Sequence, residues 1–260
     1  MTIDFYKYQA TGNDFVMIDN RNGKYAFSND QISELCHRKF GIGADGLILI
    51  QQHDTCDFEM IYYNPDGSQS LCGNGSRCAV KFAYFLGLID KKTTFVAFDG
   101  EHTGEILPND WVKLKMKDVQ NVRLMSDGIF IDTGSPHLVK FVVNLKNYKV
   151  YQEGKMIRNG GLFKSEGVNV NFVEALPDNE IFVRTYERGV EDETMSCGTG
   201  VTAAAVASIQ KGYNSPVRIK TLGGNLEVEF NSNSNNYYSK VHLIGPAEEV
   251  FKGTFQLDSN

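Results

Sequence analysis

The 260-residue sequence has no excess of basic residues and no long apolar run. It carries 26 Lys and Arg against 32 Asp and Glu, for a formal net charge of −6, whereas a nucleic-acid surface is normally basic. No stretch approaches the roughly 20 apolar residues that a helix needs to cross a bilayer. The N-terminal MTIDFYKYQATGNDF also lacks the apolar core of a signal peptide. We therefore expect a cytoplasmic protein that binds neither nucleic acid nor a membrane.

Paired cysteines and phosphate-binding glycine motifs are missing as well. The five cysteines are Cys36, Cys56, Cys72, Cys78 and Cys197, and an odd count does not suit a disulfide scaffold. No C-x-x-C pair occurs, and no histidine is spaced beside a cysteine as zinc ligands are. No P-loop sequence occurs, and no GxGxxG string lies between a predicted strand and a predicted helix, as a nucleotide site requires. We therefore expect no metal and no cofactor, and we interpret Cys36, Cys56 and Cys78 as small buried hydrophobic residues.

Most of the chain is predicted to form strands. Short runs rich in β-branched and aromatic residues alternate with Gly, Asn, Asp or Pro turns along both halves. Four helices are predicted: one that begins with a capping box at Ser28 and ends before Gly41, and others over 76–86, over 148–158 and from 201 to a stop at Gly212. The second and fourth are apolar nearly all round, which indicates helices buried on every side.

The two buried helices predict the fold class. Because strands must wrap around each of them, we expect an α+β protein of two pseudo-symmetric domains, each a strand-rich roll or barrel around a central buried helix. Both halves repeat the order strand, acidic turn, Cys-Gly-x-Gly, buried helix. Cys197 follows Cys72 by 197 − 72 = 125 residues, close to half the chain. The seam between the halves is expected within 118–127.

Each half places a cysteine directly before its buried helix, in LCGNG at 71–75 and SCGTG at 196–200. A helix N-terminus presents unpaired N–H groups and about half a positive charge, which favours a thiolate over a thiol. The flanking glycines let a carboxylate approach the same N–H groups. Each motif therefore predicts an anion site with a reactive sulfur.

Two such sites suit the inversion of a stereocentre beside a carboxylate. A thiolate removes the α-proton from one face, and the opposite thiol delivers a proton to the other. Helix N–H groups aimed at the carboxylate stabilise the negative charge that it gains as the carbanion forms. We therefore predict Cys72 and Cys197 as the acid/base pair of an isomerase that needs no cofactor.

The series of motifs along the chain is similar to that of the diaminopimelate epimerase family. The matching stretches are ATGNDF (10–15), GIGADG (41–46), NPDG with LCGNGSRC (64–78), GSPH (134–137), GVNVNF (167–172), YERGVEDETMSCGTG (186–200) and GPAEEVF (245–251). The resemblance implies interconversion of LL- and meso-2,6-diaminopimelate, in the synthesis of lysine and of cell-wall precursors. It also implies an active site in the cleft between the domains.

The resemblance further implies that the C-terminal strand returns to the first domain. The expected domains are therefore 1–117 with 250–260, carrying Cys72, and 118–249, carrying Cys197. Edge strands of the two rolls are candidates for pairing into a homodimer. The expected partner is otherwise the small-molecule substrate alone.

Individual roles also follow from the resemblance. In the LL to meso direction, Cys197 accepts a proton and Cys72 donates one, and the roles reverse for the return reaction. Glu187 suits an ammonium group, and Arg188 suits a carboxylate through its planar fork. The implied backbone donors are Gly73, Asn74, Gly198 and Thr199; the implied substrate contacts are Asn13, Asn64, Asn169, Glu187 and Arg188; the implied groups that tune the thiols are His137 and Glu187.

Two positions depart from the pattern of some family members. Ser135 stands where those have Asn, and Gly46 where they have Gln. Ser135 can still form a hydrogen bond, with a shorter reach, whereas any contact at Gly46 must come from backbone or water. Both are expected to affect how the distal end of the substrate is held.

Three alternatives stay open. A related two-thiol racemase for proline or hydroxyproline would need an apolar pocket in place of several Asn and Arg188. A cysteine hydrolase with Cys72 as nucleophile and His137 as base leaves the second CGxG unexplained. A non-catalytic amino-acid-binding protein of the same fold would bind substrate without exchanging its α-proton.

Overall fold

The computed structural model describes residues 1–233 and 236–257, which form two compact units. The first comprises residues 1–114 and 245–257, and the second comprises the described residues within Lys115–Ile244. The boundaries expected from the sequence, at 117/118 and 249/250, stay a prediction. Residues 258–260 of the expected C-terminal strand lie outside the described residues.

The first unit contains eight strands and two α-helices. In chain order they are β1 (Thr2–Ala10), β2 (Asn13–Asp19), α1 (Asn29–Cys36), β3 (Gly46–Gln51), β4 (Phe58–Tyr63), α2 (Gly73–Phe85), β5 (Lys92–Ala97), β6 (Gly100–Ile106), β7 (Val112–Lys115) and β17 (Glu248–Gln256). Residues alternate between buried and exposed along β5, as expected for a strand with one face on a core, whereas β3 is buried along nearly its whole length.

The second unit contains nine strands and two α-helices. They are β8 (Arg123–Met125), β9 (Gly128–Asp132), β10 (Pro136–Phe141), α3 (Val150–Asn159), β11 (Asn169–Leu176), β12 (Glu180–Glu187), β13 (Asp192–Thr194), α4 (Gly198–Ser208), β14 (Val217–Thr221), β15 (Gly224–Asn233) and β16 (Tyr237–Gly245). Short 3₁₀ turns flank α3 and follow α4.

Both units follow the same strand plan. The first pairs its strands in the order β17-β1-β2-β3-β4-β5-β6-β7, in which only β2–β3 and β4–β5 are parallel. The second has the order β8-β9-β10-β11-β12-β14-β15-β16, in which only β10–β11 and β12–β14 are parallel, with short β13 beside β12. A helix lies in the crossover of each parallel pair, as parallel strands require. The predicted α+β fold with an internal repeat is confirmed.

The second helix of each unit is its central helix. α2 contacts five strands of its sheet, and α4 contacts six. Every residue of α4 is buried except Thr199. In α2, Gly73 and Lys81 are partly buried, Tyr84 and Phe85 in the last turn are exposed, and the other residues up to Ala83 are buried. Burial on all sides is therefore confirmed for α4, whereas α2 has a partly exposed side at Lys81 and an exposed C-terminal turn.

Three predicted helix ends were wrong. α1 begins with the predicted capping box but ends at Cys36, because the N–H groups of residues 42 and 43 donate to the Leu35 carbonyl and turn the chain back. A Cβ at Gly41 would stand 1.8 Å from a helix carbonyl oxygen, so that glycine packs against the helix end instead of following it. α2 and α4 begin at residues 73 and 198, ahead of the predicted 76 and 201, because the cysteines themselves are the capping residues.

Candidate active site

Cys72 is the N-terminal capping residue of α2. Its Sγ accepts a hydrogen bond from the Gly75 N–H at 3.4 Å and lies 3.6 Å from Asn13 Oδ1. Capping positions favour Ser, Thr, Asp or Asn, so here a sulfur takes the place of the usual oxygen acceptor. The Cys72 thiol in turn donates to Asn13 Oδ1, so the sulfur is held between a helix N–H donor and an amide oxygen acceptor.

Asn13 connects Cys72 to the β1–β2 hairpin. It follows the two-residue turn Thr11-Gly12, whose φ angles of 48° and 83° both lie in the left-handed region, as a type I′ hairpin requires. Asn13 Oδ1 accepts a hydrogen bond from Asn74 Nδ2 at 3.2 Å, and its Nδ2 donates to Asp45 Oδ2 at 2.6 Å. Three of the predicted site residues, Asn13, Cys72 and Asn74, thus share one network.

A cluster of ion pairs holds Asp45 beside Asn13. Arg38 contacts Asp45 at 2.6 Å and Asp14 at 2.7 Å, and Lys7 contacts Asp14 at 2.8 Å. Burial opposes the charge on Asp14, but hydrogen bonds from Arg38 and Lys7 outweigh it and lower the pKa of Asp14 to about 2. The cluster therefore stays charged at neutral pH and fixes the orientation of the Asn13 amide.

Asn64 and Gly46 lie around Tyr62, whose hydroxyl also lies 3.5 Å from the Asp45 carbonyl oxygen. Asn64 Nδ2 donates to the hydroxyls of Ser68 and Ser70, and its Oδ1 accepts from the Tyr62 hydroxyl at 3.0 Å. A Cβ at Gly46 would stand 2.3 Å from Cε2 of the Tyr62 ring. The aromatic ring therefore occupies the space that a longer side chain at residue 46 would need, and its hydroxyl orients Asn64.

Cys197 caps α4 in the second unit and is 7% exposed. Its Sγ lies 3.5 Å from Thr199 Oγ1. The Thr133 hydroxyl donates to the Thr199 carbonyl at 3.0 Å, which ties β9–β10 to the first turn of the helix. The Cys197 thiol thus lies beside the Thr199 hydroxyl at the first turn of α4, but unlike Cys72 its side chain makes no capping hydrogen bond to the helix backbone.

His137 lies in β10, where it is completely buried. Asn171 Nδ2 contacts His137 Nδ1 at 3.0 Å, and Asn171 Oδ1 accepts from the Thr185 hydroxyl at 2.9 Å. With the amide oriented in this way, Nδ1 is the acceptor and Nε2 carries the hydrogen; Nε2 has no hydrogen-bond partner within the described chain. Burial, followed by the nearby charge of Arg188, lowers the pKa of His137 to about 3. An imidazole whose Nδ1 lone pair already accepts a hydrogen bond, and whose pKa is this low, argues against His137 as the base of a cysteine hydrolase.

Asn169 joins two other predicted residues. Its Nδ2 donates to Ser135 Oγ at 2.8 Å, and its Oδ1 accepts from the Arg188 N–H at 2.9 Å. Arg188 Nη1 donates to the Glu166 carbonyl at 2.9 Å. The shorter Ser135 side chain is thus bonded to Asn169.

Glu187 is the last residue of β12, and its Oε2 accepts from the Thr194 hydroxyl of β13 at 2.9 Å. The carboxylate is therefore held at the end of the strand that leads into Arg188.

Two residues in the site network were not predicted from the sequence. Asn171 is two residues from Asn169 in β11, and residues at that spacing lie on the same face of a strand, which could have identified it. Arg77 is one of two cations in α2, the other being Lys81, and it is fully buried. A charged residue so soon after the Cys-Gly-x-Gly motif, in LCGNGSRC, could have identified Arg77 as a site residue.

A family model and full-length relatives identify the same protein family. The family model for diaminopimelate epimerase matches residues 5–122 and 129–250. A diaminopimelate epimerase from Flavobacterium psychrophilum is 50% identical over 253 residues, which cover 96% of this chain and 98% of that protein. One from Chlorobaculum tepidum is 42% identical over 262 residues, or 95% of this chain and 99% of that protein.

Solved structures show the same fold at much lower identity. A PhzF-family phenazine biosynthesis protein from Bacillus anthracis has a TM-score of 0.78 at 13% identity and covers 99% of this chain and 100% of its own. A hydroxyproline epimerase from Agrobacterium vitis has a TM-score of 0.68 at 14% identity, with 99% and 93% covered. These two similarities establish the fold alone.

Proposed function

This chain belongs to the diaminopimelate epimerase family and is an isomerase that interconverts LL- and meso-2,6-diaminopimelate, and we propose that Cys72 and Cys197 are its acid/base pair. The observation that carries the proposal is the repetition of one arrangement. In two units of the same strand order, a cysteine caps the central buried helix. Inversion at a carbon needs one proton-transferring group for each face, and this chain supplies two of the same kind.

The proposed reaction moves one proton off the α-carbon and another onto it. In the LL to meso direction, the Cys197 thiolate takes the α-proton, and the electron pair of the broken C–H bond is delocalised into the adjacent carboxylate. The Cys72 thiol then delivers its proton to the opposite face of the α-carbon. Cys197 ends as a thiol and Cys72 as a thiolate, which is the state that the reverse reaction needs.

The helix N-termini stabilise the negative charge that builds up on the carboxylate. Residues 73–74 and 198–199 begin α2 and α4, and the first N–H groups of a helix have no intrahelical acceptor. Donors that are already in place need no reorganisation when the carbanion forms, which is why this kind of stabilisation is effective. The proposal requires both pairs of donors to act on the same carboxylate.

Other side chains are assigned to binding and orientation. We place Asn13, Asn64 and Asn169 against the amino and carboxylate groups, with Glu187 for an ammonium and Arg188 for a carboxylate. Their hydrogen bonds within the protein support this assignment, because each amide or charged group is held in one orientation. Ser135 and Gly46 then contribute through Asn169 and Tyr62. His137 and Glu187 are assigned to tuning the pKa values of the two thiols.

Incubation with LL-diaminopimelate in heavy water tests the proposal. The unaltered enzyme should incorporate deuterium at the α-carbon of a mixed LL/meso product. Cys72→Ser and Cys197→Ser should each lower the epimerisation rate by about 10²- to 10⁴-fold, the usual contribution of acid–base catalysis. Cys56→Ser, a free thiol outside both helix ends, is the matched control and should retain full activity. Near-normal epimerisation by Cys197→Ser would contradict the two-thiol mechanism.

We also propose a homodimer formed through β17. This strand pairs with β1 and leaves Val250 56% exposed and Phe251 47% exposed, and exposed apolar side chains on a strand are a common pairing surface. Val250→Lys should then give a monomer in sedimentation velocity. Val143→Lys, at a valine that is 86% exposed elsewhere, should remain dimeric. A Val250→Lys protein with unchanged mass would rule out this interface.

The proposed setting is the cytoplasm and the biosynthesis of lysine and of cell-wall precursors. The five cysteines are all free thiols, and a reducing compartment keeps such thiols reduced. Because the mechanism needs two reduced sulfurs, mild oxidation that joins Cys72 to Cys197 should abolish activity, and a reductant should restore it.

A further inference from the structure

Arg77 is a charged residue in the interior of the first unit. Its exposed fraction is 0%. Its Nε lies 3.4 Å from the Pro246 carbonyl oxygen, and its Nη2 donates to Thr11 Oγ1 at 3.2 Å and to Asn74 Oδ1 at 3.1 Å. All of these acceptors are uncharged, and Nη1 has no hydrogen-bond partner among the described residues.

A buried guanidinium without a carboxylate partner is costly. No ion pair involves Arg77 in residues 1–233 and 236–257, and burying a charge is unfavourable unless an opposite charge compensates it. Burial lowers the pKa of Arg77 to about 10, with the Cys78 and Cys72 thiols acting in the opposite direction. The guanidinium therefore stays protonated at neutral pH and leaves an uncompensated positive charge near Cys72.

The hydrogen bonds of Arg77 reach the residues that surround Cys72. Thr11 is a β-branched residue with φ of 48°, a conformation that such residues rarely adopt without support. The Arg77 contact holds the hydroxyl of Thr11 in the turn that presents Asn13. The contact with Asn74 fixes its amide so that Nδ2 faces Asn13 Oδ1.

We propose that Arg77 is the positioning residue of the Cys72 site: its guanidinium holds Thr11 and Asn74, and its unpaired charge compensates the Cys72 thiolate and the substrate carboxylate beside it. This inference rests on the proposed role of Cys72. It explains why a cation is buried where no acidic side chain pairs with it. The negative charge that it lacks in the resting protein is supplied by the reaction.

Other titratable groups on the strands packed against α2 have partners of their own. Lys7 of β1 pairs with Asp14 of β2, and on β6 His102 pairs with Asp99 and Glu105 with Lys92. On β1, Tyr8 contacts Glu249 of β17, and burial raises the pKa of Tyr8. Cys78, next along α2, is completely buried, and burial raises the pKa of its thiol. Asp45 is already paired with Arg38 and bonded to Asn13. None of these offers Arg77 a carboxylate contact.

The test measures the pH dependence of Cys72 alkylation by iodoacetamide in a Cys197→Ser protein, read at the Cys72 peptide by mass spectrometry. In Arg77→Met the apparent pKa of Cys72 should rise by about one unit, so that alkylation at pH 7 slows roughly tenfold. Arg77→Lys keeps the charge and should retain most of the rate. The Cys56 peptide is the internal control and should react equally in all three proteins.

A folded Arg77→Met protein whose Cys72 profile matches the parent would overturn the inference. If Arg77→Met does not fold, the alkylation profile of the parent Cys197→Ser protein provides the test. An apparent pKa of Cys72 at or above the ordinary thiol value of about 8.5 would equally refute the inference. With Cys197 intact, Arg77→Lys should raise KM more than it lowers kcat, since a single ammonium cannot hold both Thr11 and Asn74. Failure of the proposed function is distinguished from failure of this inference by a different measurement. If Cys72→Ser still catalyses epimerisation, the proposed role of Cys72 is wrong, whatever the alkylation profile shows.

Discussion

Replacing His137 with Asn is expected to remove a loss of stability that the protein undergoes between pH 8 and pH 5. His137 is completely buried, and burial lowers its pKa from 6.5 to about 3. Between those values the unfolded chain binds a proton that the folded protein does not. The free energy of unfolding must therefore fall as the pH falls through 6.5, and this contribution stops changing below about 3.

The size of the effect at pH 5 follows from the titration of the unfolded chain. The pH lies 6.5 − 5 = 1.5 units below the unfolded pKa, and each unit corresponds to about 1.4 kcal/mol, which gives about 2 kcal/mol. This value holds for any folded pKa below about 4, since the folded histidine is then neutral at pH 5. Carboxylates with depressed pKa values, such as Asp14 at about 2, remain ionised in this range and add little.

Urea unfolding of His137→Asn at pH 8, 6.5 and 5 measures the effect. Asn places an oxygen near the position of Nδ1, so it can still accept from Asn171 while it no longer titrates. Because the loss of ring atoms lowers the free energy of unfolding at every pH, the quantity to compare is the slope of that free energy against pH. His53→Asn, the same substitution in a surface loop where His53 Nδ1 accepts local N–H groups, is the control for the effect of the substitution itself.

An unchanged slope in His137→Asn would refute the reasoning, since it would mean that His137 is protonated in the folded protein or reaches water. Nitrogen chemical shifts offer a second check. They should report a neutral ring with hydrogen on Nε2, and a ring protonated on Nδ1 would contradict the assigned hydrogen bond with Asn171.

Three further predictions concern single contacts. Gly46→Ala should destabilise the protein by about 1–3 kcal/mol in urea unfolding, because the new Cβ would stand 2.3 Å from the Tyr62 ring; a neutral result would mean that Tyr62 moves freely. Thr199→Val should slow epimerisation roughly tenfold at pH 7, with the rate recovering at higher pH, because the hydroxyl 3.5 Å from Cys197 no longer stabilises its thiolate. Ser28→Ala should cost about 1 kcal/mol of stability through loss of the capping box, with unchanged kcat; a change in kcat would count against a purely local role.

Much of the fold could be predicted because its signals are local. Helices without a polar face require strands all round, and α2 and α4 are indeed central to their units. The predicted first residues of these helices, 76 and 201, lie after the observed ones, 73 and 198. The reason is that Cys is an uncommon N-terminal capping residue, a position that favours Ser, Thr, Asp or Asn. The end of α1 was missed because it depends on a chain reversal that packs residues 41–43 against the helix.

The site was predicted as a set of residues, but the partners of those residues were not. The sequence predicts Asn13, Asn64 and Asn169 as substrate contacts, and the structure adds specific protein partners that orient each of them. Arg77 and Asn171 were overlooked because their importance depends on burial and on contacts far along the chain. A buried cation is recognisable only when the absence of a nearby carboxylate is known.

The sequence by itself determined the two Cys-Gly-x-Gly motifs, the repeated order of elements and the family, since these depend on residue identity and spacing along the chain. Only the tertiary structure decided which proton His137 carries, why residue 46 must be glycine, and that Arg77 holds an unpaired charge behind Cys72. These properties arise from groups distant in sequence that share one low-dielectric interior. There, the energy of a charge or a proton depends on every neighbour within a few ångströms, irrespective of its position in the chain.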